Sequence, residues 1–228
     1  VIRTILDSLS EPYKLGNEEV FITASMGVTM CPDDATDIDT LMKNADQAMY
    51  AAKHEGRNGY KFFTPHMQRE AQERMRIISD LRTALVSNQL WVAYQPIIEL
   101  ATGRVHKAEA LIRWRHPVEG HIGPDTFIPI AEETGLIHPI SDFLFQEISQ
   151  QAAMLRANCD PSFQVSINIS PAQLQRRESS VYDILHSYMA NQQLPGASLV
   201  LEITEGLLLD HRPTVTDQLI AFRDAGIE

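Results

Sequence analysis

From residue 90 onward the chain alternates between runs of period two and runs of period near 3.6, the spacings that separate a half-buried strand from an amphipathic helix. Strands are predicted over Trp91 to Ile98, Arg104 to Trp114, Phe163 to Ser170 and Ser198 to Thr204. Helices are predicted over about Pro124 to Asn158, over about Pro171 to Gln192, and from near Pro213 onward. Only the turn "ELATG" separates the first two strands, and a parallel crossover takes about a dozen residues, so those two should pair antiparallel. The remaining alternation predicts a mostly parallel sheet wrapped by helices.

The first 64 residues read as a separate α/β piece. It has a helix over Val1 to Leu9, a strand pair within about Tyr13 to Met30, a helix over about Ile38 to Glu55, and a short strand at Tyr60 to Phe63. In the second helix Ile38, Leu41, Met42, Ala45, Met49 and Ala52 fall on one stripe, and Gly56 supplies the stop. A charged connector helix follows from Pro65 to about Gln89, with apolar positions Met67, Ala71, Met75, Ile78, Leu81 and Leu85. The expected organisation is therefore 1–64, a helical linker at 65–77, and 78–228.

Within "KAEALIRWRHP" (residues 107–117) one face carries Ala108, Ala110, Ile112 and Trp114, and the other carries Lys107, Glu109, Leu111 and Arg113. In "FQVSINIS" the same alternation leaves Asn168 opposite Val165, Ile167 and Ile169, and in "SLVLEITE" it leaves Glu202 opposite Leu199, Leu201 and Ile203. Each of three strands thus sets one oxygen-bearing side chain against its apolar packing face. In a (β/α) barrel, active sites are built at the C-terminal ends of the strands. Two carboxylates and an amide oxygen suit a hard cation such as Mg²⁺, Mn²⁺ or Ca²⁺, whereas zinc prefers thiolates and imidazoles. The competing reading is a set of buried hydrogen bonds and ion pairs with Arg113 or Lys107, since buried charges need partners in any case.

Composition narrows the class. The 228 residues are 44% hydrophobic, enough for one or two domains with a sizeable core. Nineteen Lys and Arg against 30 Asp and Glu leave a net charge of −11, which argues against a nonspecific nucleic-acid or anionic-membrane surface. Cys31 and Cys159 form no CxxC pair and read as two packed free thiols in a reducing cytosol. No apolar run approaches the roughly 18 residues of a membrane span, so a cytoplasmic protein is expected. An opening Val1 and a closing Glu228 read as the ends of a fragment.

Several of these segments together resemble a known family. "YQPI" (94–97), "EALIRWRHP" (109–117), "FIPIAEETGLI" (127–137), "INIS" (167–170) and "LEITE" (201–205) resemble, in order and spacing, the EAL domain of bacterial cyclic-di-GMP phosphodiesterases. "TASMGV" (23–28) and "NADQAMYAAKHEGRNGYKFF" (44–63) resemble the second half of a GGDEF diguanylate cyclase domain. The resemblance implies a partial GGDEF α/β domain followed by a partial modified TIM (β/α) barrel with an antiparallel first strand. It implies Glu109, Asn168 and Glu202 as metal ligands, and Gln95, Leu111 and Arg113 as contacts to the cyclic dinucleotide, the arginine through a phosphate. It also implies Glu205 as a loop-stabilising glutamate, and Lys53 and Arg57 as vestigial GTP-phosphate positions. For Lys53 and Arg57 a solvated helix end carrying favourable cations is the stronger reading.

What the resemblance implies for activity is a cytoplasmic, bacterial signal-transduction protein whose EAL domain hydrolyses cyclic di-GMP to the linear dinucleotide, using two Mg²⁺ or Mn²⁺ ions. The family's Asp-Asp pair, lysine and catalytic base fall after Glu228, and the GGDEF signature falls before Val1. The chain alone is therefore expected to lack half the site, to make no cyclic di-GMP, and to leave its last strand unpaired on one side. A homodimer through the EAL domain is a further expectation; nucleic-acid partners are not. The alternatives are a non-catalytic cyclic-di-GMP receptor that passes its signal to a protein partner, and an unrelated metal-dependent barrel enzyme.

Overall fold

The computed structural model describes residues 1–16, 18–175, 180–203 and 212–228, which fall into two compact units, Val1–Arg76 and Ile77–Glu228. The first unit contains α1 (Ile2–Leu9), a hairpin of β1 (Tyr13–Leu15) and β2 (Glu18–Val20), β3 (Ser25–Val28), α2 (Ile38–His54) and β4 (Gly59–Phe62). β3 does not complete the hairpin. It pairs parallel with β4, with α2 as the crossover.

The contact between β3 and α2 explains why the stripe expected on α2 is displaced. A Cβ on Gly27 would lie 1.8 Å from the Ala45 carbonyl oxygen and 2.3 Å from the Met49 nitrogen, so strand and helix meet backbone to backbone. So close an approach favours small residues, and the buried row is Asn44, Ala48 and Ala52, while Ile38 and Met42 are exposed. Asp37 caps the helix by accepting from the Thr40 N–H at 2.8 Å, and that bond holds its carboxyl below the usual range.

Helix α3 (Pro65–Val86) contains the division between the units. Its buried row is Ile77, Leu81 and Ala84, whereas Met75, expected on the buried stripe, is exposed.

The second unit is a five-stranded sheet in the order β5 (Leu90–Ile98), β6 (Val105–His116), β8 (Gln164–Ile169), β9 (Leu199–Ile203), with β7 (Gly120–Ile122) added to the far end of β6. β5 and β6 run antiparallel, as the short turn demands, and β6, β8 and β9 run parallel. Helices α4 (Pro124–Thr134), α5 (Ile137–Asn158), α6 (Pro171–Leu174), α7 (Val181–Asn191) and α8 (Pro213–Asp224) complete the alternation. The long helical run is broken at Gly135, whose φ of 74° is the left-handed C-terminal stop that glycine adopts without strain.

The predicted apolar faces of the strands are the buried ones. Ala108, Ala110, Ile112 and Trp114 of β6 and Val165, Ile167 and Ile169 of β8 join Phe127, Phe145, Ile148 and Leu185 from the helices in one core. Burying each large side chain contributes roughly 1.5–3 kcal/mol. Trp114 and Phe127 meet edge to face at 5.6 Å between ring centres.

Two expectations are corrected. Cys31 and Cys159 are not packed but exposed, Cys159 as the residue that ends α5. The outer edge of β9 is not bare: Leu201 N donates to Glu228 O at 2.7 Å and Glu228 N donates to Leu199 O at 3.2 Å, because the chain turns back after α8 and lies along it. No helix among the described residues is long and apolar enough to cross a membrane.

Candidate active site

Strand register brings the singled-out side chains to one place. Lys107–Ala110 of β6 pair with Gln164–Ile167 of β8, and Trp114–His116 pair instead with β7, so Glu109 lies one residue before the end of the part of β6 that β8 covers. Asn168 and Glu202 are register partners at the penultimate positions of β8 and β9. The three therefore sit at the C-terminal ends of neighbouring parallel pairings, on the face that the core does not use.

The contacts are specific. Asn168 Nδ2 donates to Glu109 Oε1 at 2.8 Å. Arg113 turns its Nη1 to the Ile112 carbonyl at 3.0 Å. Among the described residues neither Glu109 nor Glu202 forms an ion pair, so the salt bridges to Arg113 or Lys107 weighed above are not made. Among the described residues two carboxylates and an amide thus share one face without a cationic partner. That donor set fits a hard divalent cation. Among the described residues no group of three or more His, Cys, Asp or Glu side chains gathers to hold an ion.

Beside them opens a cleft of about 450 Å³, lined by Leu111, Arg113, Asn168 and Glu202 and walled by Ile128, Pro129, Ile137, Ile140 and Leu144 from α4 and α5. An apolar wall, an arginine fork and a carboxylate–amide cluster offer places for a flat apolar group, a phosphate and a cation. Gln95 is the register partner of Glu109 on β5, but it is exposed and does not line the cleft. Its neighbour Tyr94 faces away, and burial, with Glu147 nearby, raises its pKa above the usual phenol range. Lys53 and Arg57 are exposed at the C-terminal end of α2 in the first unit. Glu205 lies outside the described residues.

Sequence reasoning missed four residues around this cleft. Asp125 and Glu132 line it from α4, and Ser170 and Gln173 line it from the start of α6. The last two carried a legible signal, the S-x-x-Q pattern of a capping box, and the structure makes the half in which the Ser170 N–H donates to Gln173 Oε1 at 2.6 Å. The two acids of α4 carried none, because exposed acids on a helix are common.

Comparison with known proteins shows what this architecture is similar to. The EAL domain family model matches residues 78–228, and the model of the diguanylate cyclase GGDEF domain matches residues 1–59. The bifunctional diguanylate cyclase/cyclic di-GMP phosphodiesterase MucR of Pseudomonas aeruginosa is 36% identical over 220 residues, covering 95% of this chain and 32% of the relative. The cyclic di-GMP phosphodiesterase PdeR of Escherichia coli is 32% identical over 224 residues, covering 98% of this chain and 33% of the relative. A solved structure of the PaMucR phosphodiesterase in complex with c-di-GMP superposes with a TM-score of 0.62 at 29% identity, covering 67% of this chain and 61% of that one. The chain spans about a third of the length of these curated relatives.

Proposed function

Since the chain belongs to the EAL domain family over residues 78–228, with GGDEF sequence ahead of it at residues 1–59, we propose that it is part of a cyclic-di-GMP signalling protein. In this reading the EAL domain hydrolyses the cyclic dinucleotide to its linear form. The observation that carries it is the pairing of Glu109 and Asn168 at 2.8 Å, beside Glu202 and at the mouth of a cleft that also holds Arg113. We read the organisation as 1–64, a helical linker at 65–77 and 78–228, and the location as the cytoplasm.

Glu109, Asn168 and Glu202 would hold Mg²⁺ or Mn²⁺ through two carboxylates and the amide oxygen. A bound ion of that kind lowers the pKa of a water and offsets charge on the attacked phosphate. The chain's own groups do the rest. Arg113 offers a planar fork to a phosphate of the dinucleotide, and Leu111 with the α4 and α5 side chains excludes water from the bases. Gln95, adjacent to Glu109 across the ladder, would contact the dinucleotide outside the cleft. Removal of the water's proton requires a base, a role we give to none of Glu109, Asn168 or Glu202, which are reserved for the cation.

The test is to incubate the full-length protein with cyclic di-GMP and Mg²⁺ and to separate the nucleotides. Steady release of linear dinucleotide is the expected result. Binding of cyclic di-GMP with no product over many protein equivalents contradicts hydrolysis and leaves a receptor.

A further inference from the structure

Gln173 is 3% exposed, and a buried carboxamide costs several kcal/mol unless both of its ends are paired. Here both are. Its Oε1 accepts from the Ser170 N–H at 2.6 Å, and its Nε2 donates to Ser141 Oγ at 2.7 Å. Ser141 in turn donates to the Ile137 carbonyl at 2.6 Å. The donors run in one direction, from Gln173 to Ser141 to the first turn of α5, which fixes the orientation of the carboxamide.

The two ends of this chain of bonds tie different parts of the site wall. One end holds the backbone of Ser170, two residues after Asn168. The other holds α5, whose first turn supplies Ile137 and Ile140 to the cleft. A second buried glutamine holds the far end of the same one-turn helix: Gln218 donates to the Leu174 carbonyl at 2.9 Å and accepts from Val181 N–H at 2.8 Å. α6 is thus clamped at both ends, although at four residues it is too short to hold itself.

We infer that Gln173 is a positioning residue for the active site: through Ser170 and Ser141 it fixes the exit of β8 and thereby the placement of Asn168 against Glu109. This rests on the reading that Glu109 and Asn168 hold a divalent cation. A strut behind a ligand is worth holding rigid, because loss of an outer-shell hydrogen bond typically lowers metal affinity by about 10- to 100-fold.

The experiment is Mn²⁺ binding, measured by the resonance signal of free Mn²⁺ over the full-length protein, with folding followed by circular dichroism and thermal melting. Gln173→Leu should weaken Mn²⁺ binding by about tenfold, and Ser141→Ala, which removes only the far anchor, should weaken it by less. Ile148→Val, a core change in α5 away from the strut, should lower the melting temperature and leave Mn²⁺ affinity as it was. Glu109→Ala should abolish binding. If Glu109→Ala loses Mn²⁺ while Gln173→Leu and Ser141→Ala bind it as the wild type does, the strut is overturned and the cation reading stands. Mn²⁺ retained by Glu109→Ala overturns both. Should Gln173→Leu fail to fold, Ser141→Ala decides alone, with unchanged affinity counting against the strut.

Discussion

Asn168 presents its amide N–H, not its carbonyl, to Glu109 Oε1 at 2.8 Å. Serving as a cation ligand requires the carboxamide to turn so that its oxygen faces the same side, which gives up that bond. Replacing Asn168 by Asp sets two carboxylates in contact, and such a pair shares one proton, raising the pKa of one of them. Cation binding needs both ionised, so it weakens as pH falls through the raised value. Asn168→Asp should therefore lose Mn²⁺ affinity more steeply than the wild type as the solution is acidified. Equal pH profiles for the two proteins would contradict the contact.

Arg113 carries no cation ligand role, so its removal separates ligand binding from metal binding. Arg113→Ala should weaken cyclic di-GMP binding by at least about tenfold, the order of one charge-assisted phosphate contact. Mn²⁺ affinity should be unaffected. Calorimetry with the dinucleotide checks this, and wild-type affinity in the variant removes the phosphate role.

The site strands were legible from period two: Glu109 and Asn168 oppose apolar runs that the structure buries, and Glu202 opposes Leu199, which is buried, and Leu201 and Ile203, which are half-buried. The antiparallel first pair followed from the length of one turn. What was illegible depended on contacts distant in sequence. The face that α2 buries is selected by Gly27 of another element, so Asn44 is covered and Ile38 is not. β7 is three residues long and has no periodicity to read. Gln173 carried a pattern for its bond to Ser170, but nothing in sequence pairs it with Ser141, 32 residues earlier.

His116 illustrates the same point in the second unit. It is buried, its Nδ1 accepts from the Val118 and Glu119 N–H groups at 3.3 and 3.0 Å, and its Nε2 faces Asp80 Oδ2 at 3.3 Å. With Nδ1 accepting, the ring is a neutral tautomer that donates from Nε2. His116→Ala leaves two turn donors without an acceptor and should cost about 1–3 kcal/mol. Asp80→Asn, which keeps an acceptor oxygen, should cost less. Urea denaturation measures both, and the reverse order would refute this account of the turn.

Gly27→Ala tests the packing of the first unit. The added methyl would meet backbone atoms of Ala45 and Met49, which cannot rotate away. Overpacking of this kind costs about 1–3 kcal/mol or more. A lowered melting temperature for the first unit is expected, and an unchanged one would mean that β3 and α2 are not in contact.

Release of linear dinucleotide from cyclic di-GMP tests most directly whether the Glu109 carboxylate belongs to a hydrolytic centre. The full-length protein and its Glu109→Ala variant are compared at saturating Mg²⁺, with circular dichroism to show that both are folded. The wild type should turn over and the variant should release no product above background, since a lost ligand removes the cation's activation of water. Hydrolysis by Glu109→Ala at the wild-type rate would contradict the assignment.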